Sequence, residues 1–119
     1  MTTTGRLAIT PGEPAGIGPE LLVRLASEQR ESRWVAIADA DLLSRCAARL
    51  GITLQLDDQL DAPSTAPATL TVLHTPLGAE EVPGQLDVRN APYVIETLSR
   101  AADGCLGNTF SGIVTGPVQ

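Results

Sequence analysis

A small α/β domain, built on a mostly parallel sheet with helices on both faces, is what this sequence predicts. Three observations carry that expectation. Continuous apolar runs at residues 7–9 and 34–38 suit strands buried on both sides. Two successive strand–helix units with short links, at 6–30 and 34–50, imply parallel pairing with right-handed crossovers. Finally, a turn with two prolines and three glycines between Pro11 and Gly18 joins the first strand to the first helix. It lies at the carboxyl end of the strand, where open α/β sheets bind ligands.

Each element has its own local reason. Residues 1–5 are a polar start, and 6–10 read as the first strand. From Pro19 to about Arg30, Leu21, Leu22, Leu25 and Ala26 fall on one helical face, with Arg24, Glu28 and Gln29 toward water. Pro19 sits in the first turn, where its missing N–H costs nothing, and Gly18 is an acceptable cap. After the strand at 34–38, Asp39 or Asp41 caps a second helix that runs through Leu50 and ends at Gly51. Residues 52–56 alternate as a third, short strand. Residues 57–68, rich in Asp, Pro, Ser and Thr, read as an exposed loop. The β-branched run 69–74 is a further strand, and 75–87, with Pro76, Gly78, Pro83 and Gly84, is an irregular connection. A long helix follows from about 90 to 106, with Val94, Ile95, Leu98, Ala101, Ala102 and Cys105 inward. Gly107 and Asn108 end it, and 112–115 form the last strand. No internal repeat, low-complexity tract or domain boundary interrupts residues 1–119.

Composition narrows the function classes. A chain of 119 residues supports one modest core, below the size of most two-substrate enzymes. Aromatic residues make up only 3% of it, so that core rests on Leu, Val, Ile and Ala. The net charge of −6 argues against nucleic acid or an anionic membrane as partner. With no signal peptide or long apolar run, a cytoplasmic, soluble protein is expected. Cys46 and Cys105 fall in expected helices without metal-type spacing, and are expected as buried free thiols.

The turn from Pro11 to Gly18 admits two readings. Glycines allow close backbone approach to a ligand, and free N–H groups at a helix start attract anions such as phosphate. Glu13 and Glu20 bring negative charge to the same place and repel phosphate unless a cation or sugar hydroxyl intervenes. Gly16 and Gly18 begin a dinucleotide-binding fingerprint, but Leu21 replaces its third glycine, and no Walker sequence follows. A purely structural strand-to-helix turn is the competing explanation. Thr115, Gly116 and Pro117 end the last strand as Thr10, Pro11 and Gly12 end the first, so both turns are expected to line one crevice.

The run Thr10-Pro-Gly-Glu-Pro-Ala-Gly-Ile-Gly-Pro-Glu20 resembles the N-terminal signature of 4-hydroxythreonine-4-phosphate dehydrogenases, enzymes of vitamin B6 (pyridoxal 5′-phosphate) biosynthesis. A shorter version, Gly-Asp-Gly-Ile-Gly-Pro-Glu, is typical of isocitrate and isopropylmalate dehydrogenases. The resemblance continues through Ala38-Asp39, Gly84-Gln85-Leu86, residues 93–98, Asp103-Gly104-Cys105 and residues 114–118. It implies an isopropylmalate dehydrogenase-like fold, of which this chain is an incomplete, N-terminal α/β part. It implies oxidation of a phosphorylated hydroxy amino acid by NAD with a divalent metal (zinc, magnesium or cobalt), followed by loss of carbon dioxide. It further implies a homodimer. On this resemblance Gly12, Glu13, Gly16 and Gly18 are candidate cofactor-binding residues, and Thr115 and Gly116 candidate substrate-binding residues. The family's sequence runs on with a lysine past Gln119, a position usually His or Asn there, and its metal-binding histidines lie in regions this chain does not contain. The last strand, 112–115, is an inner strand of the family's complete fold.

The remaining polar residues offer no competing chemistry. A catalytic metal normally takes three protein ligands, and no His/Asp/Glu cluster stands at ligand spacing; neither metal-binding nor catalytic residues are assigned. His74, the one histidine, is expected to end a strand. Asp57, Asp58 and Asp61 read as a solvated loop, and Glu96 and Asp103 as solvent-facing. Asp39 stands about twenty residues past the glycine-rich turn, where a dinucleotide-binding domain keeps its ribose-binding acid; the third glycine is absent, however, and helix capping, which explains an Asp there without any ligand, is the favoured reading. Ser44, Ser99, Cys46 and Cys105 have no histidine partner in any motif. Two functions are left: the N-terminal part of an NAD-dependent dehydrogenase, inactive alone, or a free-standing, non-catalytic module binding phosphate or nucleotide.

Overall fold

The apolar run at residues 7–9 becomes the second strand from one edge of a five-stranded, wholly parallel sheet. The structure is a computed structural model and describes residues 5–117. In chain order the elements are β1 (Arg6–Thr10), α1 (Gly18–Ala26), β2 (Arg33–Ala38), α2 (Ala40–Leu50), β3 (Gln55–Asp57), β4 (Thr69–His74), α3 (Ala91–Leu106) and β5 (Gly112–Thr115). A single 3₁₀ turn, Val88–Asn90, leads into α3. The sheet order is β3-β4-β2-β1-β5. Leu7 stands opposite Trp34 on β2 and opposite Gly112 on β5.

The chain steps from β1 to β2, out to β3 at the far edge and back to β4 between them, and then α3 carries it past β1 to β5. With crossovers of one hand, such a reversal puts the helices on opposite faces. Ile9, Ala36 and Val72 pack with Leu22, Val23 and Leu43 of α1 and α2. Ala8, Val35 and Ile37 point the other way, onto Ala101 of α3 and Phe110. Ile37, Leu42, Leu43 and Leu70 are fully buried, each contributing about 1.5–3 kcal/mol of transfer free energy. The expected class, a parallel sheet with helices on both faces, is therefore what forms.

Several local expectations need correction. Helix α1 ends at Ala26 rather than near Arg30. Arg30 instead folds back and donates to the Ala26 carbonyl (2.9 Å), while also holding Ser64 O (3.0 Å) and Thr69 O (2.7 Å). Its guanidinium lies 5.0 Å from the Trp34 ring centre. The loop expected at 57–68 begins only at 58, since Asp57 closes β3, and it is tied to the end of α1 rather than free in solvent. The buried face of α1 is Leu22, Val23 and Ala26, whereas Leu21 and Leu25 are about half exposed. Strand β3 is Gln55–Asp57, not 52–56, because the Ile52 amide is used in closing α2, bonding Ala47 O at 3.0 Å.

On α3 the inward face is rotated from the expected one. Tyr93, Val94, Thr97 and Ala101 are buried, Leu98 and Cys105 half-buried, and Ile95 and Ala102 exposed. Two polar groups make that rotation tolerable. The Tyr93 hydroxyl oxygen accepts the Asp39 N–H (3.2 Å), and the Thr97 hydroxyl donates to Val94 O (2.7 Å). Both cysteines are free thiols; Cys46 is buried, and burial pushes its thiol up from the ordinary range. Among the described residues no helix is long and apolar enough to cross a membrane.

Candidate functional site

The point where chain progression reverses is the gap between the carboxyl ends of β1 and β5, and there the two expected turns meet. Gly116 N–H donates to Thr10 O (2.7 Å), and Glu13 N–H donates to Pro117 O (3.0 Å). The glycines make this contact possible. Gly12 has φ +82°, and a Cβ on it would overlap the Pro117 carbonyl. A Cβ on Gly18 or Gly116 would overlap the Pro11 carbonyl oxygen. Gly16 is less constrained: its N–H closes a tight turn onto Glu13 O (3.0 Å), and a Cβ would meet that oxygen at 3.3 Å. So Gly12, Glu13, Gly16, Gly18, Thr115 and Gly116 do come together. Yet Gly12, Gly18 and Gly116 are required for backbone-to-backbone packing, and the Glu13 and Gly16 amides are already spent within the protein. The Thr115 hydroxyl donates to Gly116 O (2.9 Å). Val118 and Gln119, including the expected contact at Gln119, lie outside the described residues.

A third segment completes the site. The connection 75–87 is irregular, as expected, but anchored at four places. Leu77 N–H donates to Asp39 Oδ2 (2.9 Å), and the Gly78 and Ala79 amides donate to Asn90 Oδ1 (2.9 and 2.8 Å). Glu81, with its side chain 1% exposed, accepts two bonds from Arg45 (3.0 and 2.6 Å) and has Arg49 at 3.5 Å. Burial pushes the Glu81 carboxyl up, but the Arg45 hydrogen bonds and charge outweigh it and hold the group below its ordinary range. At the tip of the segment, Gly84 N–H donates to Ala15 O (2.9 Å). The strap thereby lies against the glycine-rich turn.

Between them these segments border two hollows. One, about 390 Å³, is lined by Glu13, Gly16, Ile17, Gly84, Leu86 and Pro117 among others. The second, about 450 Å³, runs along α3 past Leu86, Val88, Ala91, Ile95 and Leu98. Glu13 and Leu86 line both, so the hollows meet at these side chains. No arginine or histidine lines either. Of their two carboxylates, Asp87 is paired with Arg89 (2.7 Å). Glu13 is half-buried and, among the described residues, accepts only a long bond from Ala15 N–H (3.4 Å).

The other weighed residues are placed plainly. Asp39 is 8% exposed and its carboxylate is fully engaged: Oδ1 accepts from Asp41 N (2.8 Å) and Leu42 N (3.1 Å), Oδ2 from Leu77 N. It is a helix cap and strap anchor, which decides between its two readings. His74 ends β4, exposed, and its Nδ1 accepts the Ala40 N–H (3.0 Å). Asp57 is only partly solvated, since it accepts the Thr71 hydroxyl (2.8 Å). Glu96 pairs on the surface with Arg100 (2.8 Å). Among the described residues no three His, Cys, Asp or Glu side chains gather where they could hold a metal ion. The Glu81 anchor escaped sequence reading; its only signal is Arg45 and Arg49 one helical turn apart.

Comparison with known proteins agrees with this fold. Residues 30–119 match the family model described as "Pyridoxal phosphate biosynthetic protein PdxA". The 4-hydroxythreonine-4-phosphate dehydrogenase of Salmonella arizonae is 50% identical over 123 residues, covering 100% of this chain and 37% of that protein. That of Yersinia enterocolitica is 48% identical, covering 96% of this chain and 35% of that protein. The solved structure of the Klebsiella pneumoniae enzyme of that name superimposes with a TM-score of 0.82 at 28% identity, over 97% of this chain and 38% of that one. The Burkholderia phymatum structure shares the fold with a TM-score of 0.87 at 21% identity, over 97% of this chain and 37% of that one. The chain thus spans little more than a third of the relatives it matches. Its motifs, its parallel sheet and the family match agree: the chain belongs to the PdxA family of pyridoxal phosphate biosynthetic proteins.

Proposed function

We propose that this chain supplies one wall of the cofactor and substrate crevice of an NAD-dependent 4-hydroxythreonine-4-phosphate dehydrogenase. The observation that carries the reading is the 50% identity, along the whole chain, to a relative of that name. The locked pair of turns at the β1–β5 gap, where open α/β sheets bind ligands, supports the reading. NAD, when bound, supplies the hydride acceptor for oxidation of the substrate hydroxyl. This chain's residues shape the crevice: Glu13 offers a carboxylate, Leu86 and Ile95 an apolar wall, and Gly84 with Ala15 fixes the spacing. The nucleoside part of NAD fits this lining; its pyrophosphate does not, for want of a cation. A divalent metal does not fit the described residues, so a metal-assisted step needs ligands from elsewhere in the family's fold.

The test is complementation. The chain is mixed with the remaining two thirds of the Salmonella arizonae relative, and NAD reduction is followed with 4-phosphohydroxythreonine and added zinc, magnesium or cobalt. We expect turnover only in the mixture. Turnover by the 119-residue chain alone would show a complete active site and sink the reading of the chain as one wall of a larger one; none from a mixture that forms a stable complex would sink it in favour of a free-standing, non-catalytic module.

A further inference from the structure

We propose that Glu13 is the acceptor for the vicinal hydroxyls of a nucleoside whose ring system lies on Leu86, Val88 and Ile95, and that this wall takes no phosphate. The inference rests on the reading of the crevice as a cofactor site and says which part of the cofactor this chain holds.

Four observations support it. The residue that sequence spacing nominates for ribose, Asp39, is nearly buried, with both oxygens used by backbone amides. Glu13 is the one carboxylate of the crevice lining without a cationic partner among the described residues. A half-buried carboxylate keeps several acceptor sites open and suits two neighbouring O–H donors. Next to it, Leu86, Val88 and Ile95 are 65%, 87% and 68% exposed. Exposed apolar side chains grouped beside a hollow mark a binding surface rather than ordinary solvent contact. A flat, largely apolar ring covers that shelf; the small, polar amino-acid substrate cannot.

Phosphate is disfavoured on the same grounds. The lining carries no positive side chain. The Glu13 and Gly16 amides, which an anion-binding turn would aim outward, donate to Pro117 O and Glu13 O. The glycine-rich turn is thus closed by its neighbour strand's turn instead of opened around an anion.

Nuclear magnetic resonance titration of the 119-residue chain tests this without catalysis. Adenosine should shift the Gly84, Leu86 and Ile95 amide signals saturably, and 2′,3′-dideoxyadenosine should bind about tenfold more weakly or worse, the loss of hydrogen bonds to a charged acceptor. Glu13→Gln should narrow that difference to within about twofold, while Glu28→Gln, exposed beyond the end of α1 and outside both hollows, leaves it intact. Inorganic phosphate should move none of these signals. Equal binding of the two nucleosides by the wild-type chain overturns the proposal whether or not the variant folds. So does a saturable shift of Gly16 or Gly18 by phosphate, or displacement of adenosine by L-threonine, which would give Glu13 to an ammonium group. In those cases the crevice is still a binding site and the broader reading survives. If neither adenosine nor NAD shifts any crevice signal, both fall.

Discussion

At Gly18 a single hydrogen atom decides the local structure. Its backbone is not in the left-handed region, so conformational freedom is not what makes glycine necessary there; the Pro11 carbonyl occupying the Cβ position is. The obstacle is main chain, which cannot swing aside as a side-chain end does. Gly18→Ala therefore has to part the first turn from α1, at a cost of about 1–3 kcal/mol or more. Gly16→Ala, whose Cβ would meet an oxygen at 3.3 Å, should cost clearly less. Ser27→Ala on the exposed end of α1 should stay within about 0.5 kcal/mol. Urea midpoints of the three variants check the order, and equal midpoints for Gly18→Ala and Ser27→Ala would contradict it.

At the scale of elements, the strap 75–87 stands out because it has no regular structure and yet is fixed. Its backbone groups find partners in Asp39, Asn90 and Ala15, and Glu81 anchors it to α2. The two arginines are 35% and 46% exposed. Solvent screening reduces the pair well below the 3–5 kcal/mol of a fully buried one, to about 1 kcal/mol. The carboxyl's folded-state value lies below its unfolded value, so this stabilisation is present above the ordinary carboxylate range. It is lost only as pH falls through the lowered folded value. Glu81→Gln should accordingly lower the melting temperature at pH 7, and the gap to the wild type should close only in acid. A gap that persists unchanged into strong acid would show that the charge is not what anchors the strap.

For the whole molecule, the open flank at β5 matters most. Strand β5 is an edge of the sheet, with Ile113 42% and Val114 52% exposed. Beside it a trough of about 290 Å³ runs between β5 and α1, lined by Leu7, Leu21, Leu25, Trp34 and Val114 among others. Leu21 and Leu25, half exposed on α1, face this trough and not the main core. Unpaired strand edges with apolar flanks promote self-association. The isolated chain should therefore form dimers or larger species at micromolar concentration, and Val114→Lys should shift sedimentation toward monomer. A wild-type chain that stays monomeric across that range would remove the basis for the expectation.

Much of the fold was legible in the sequence because its signals are local. Continuous apolar runs, Asp39 as a cap, Gly51 as a left-handed helix end and Pro19 in a first turn each act within a few residues. They gave eight regular elements in the right order and the crevice between two turns. The misread details depend on residues far apart in the chain. Arg30 leaves the helix because carbonyls at Ser64 and Thr69 need a donor. The face of α3 is set by Tyr93 reaching the Asp39 amide. Gly12, Gly18 and Gly116 are explained only once the first and last turns lie in contact. By itself the sequence determined the alternation of strands and helices, since hydrophobic period and capping are properties of neighbours. Tertiary structure alone decided which glycines face main chain, which carboxylates are spent and which, at Glu13, is left open, since those depend on what packs against them.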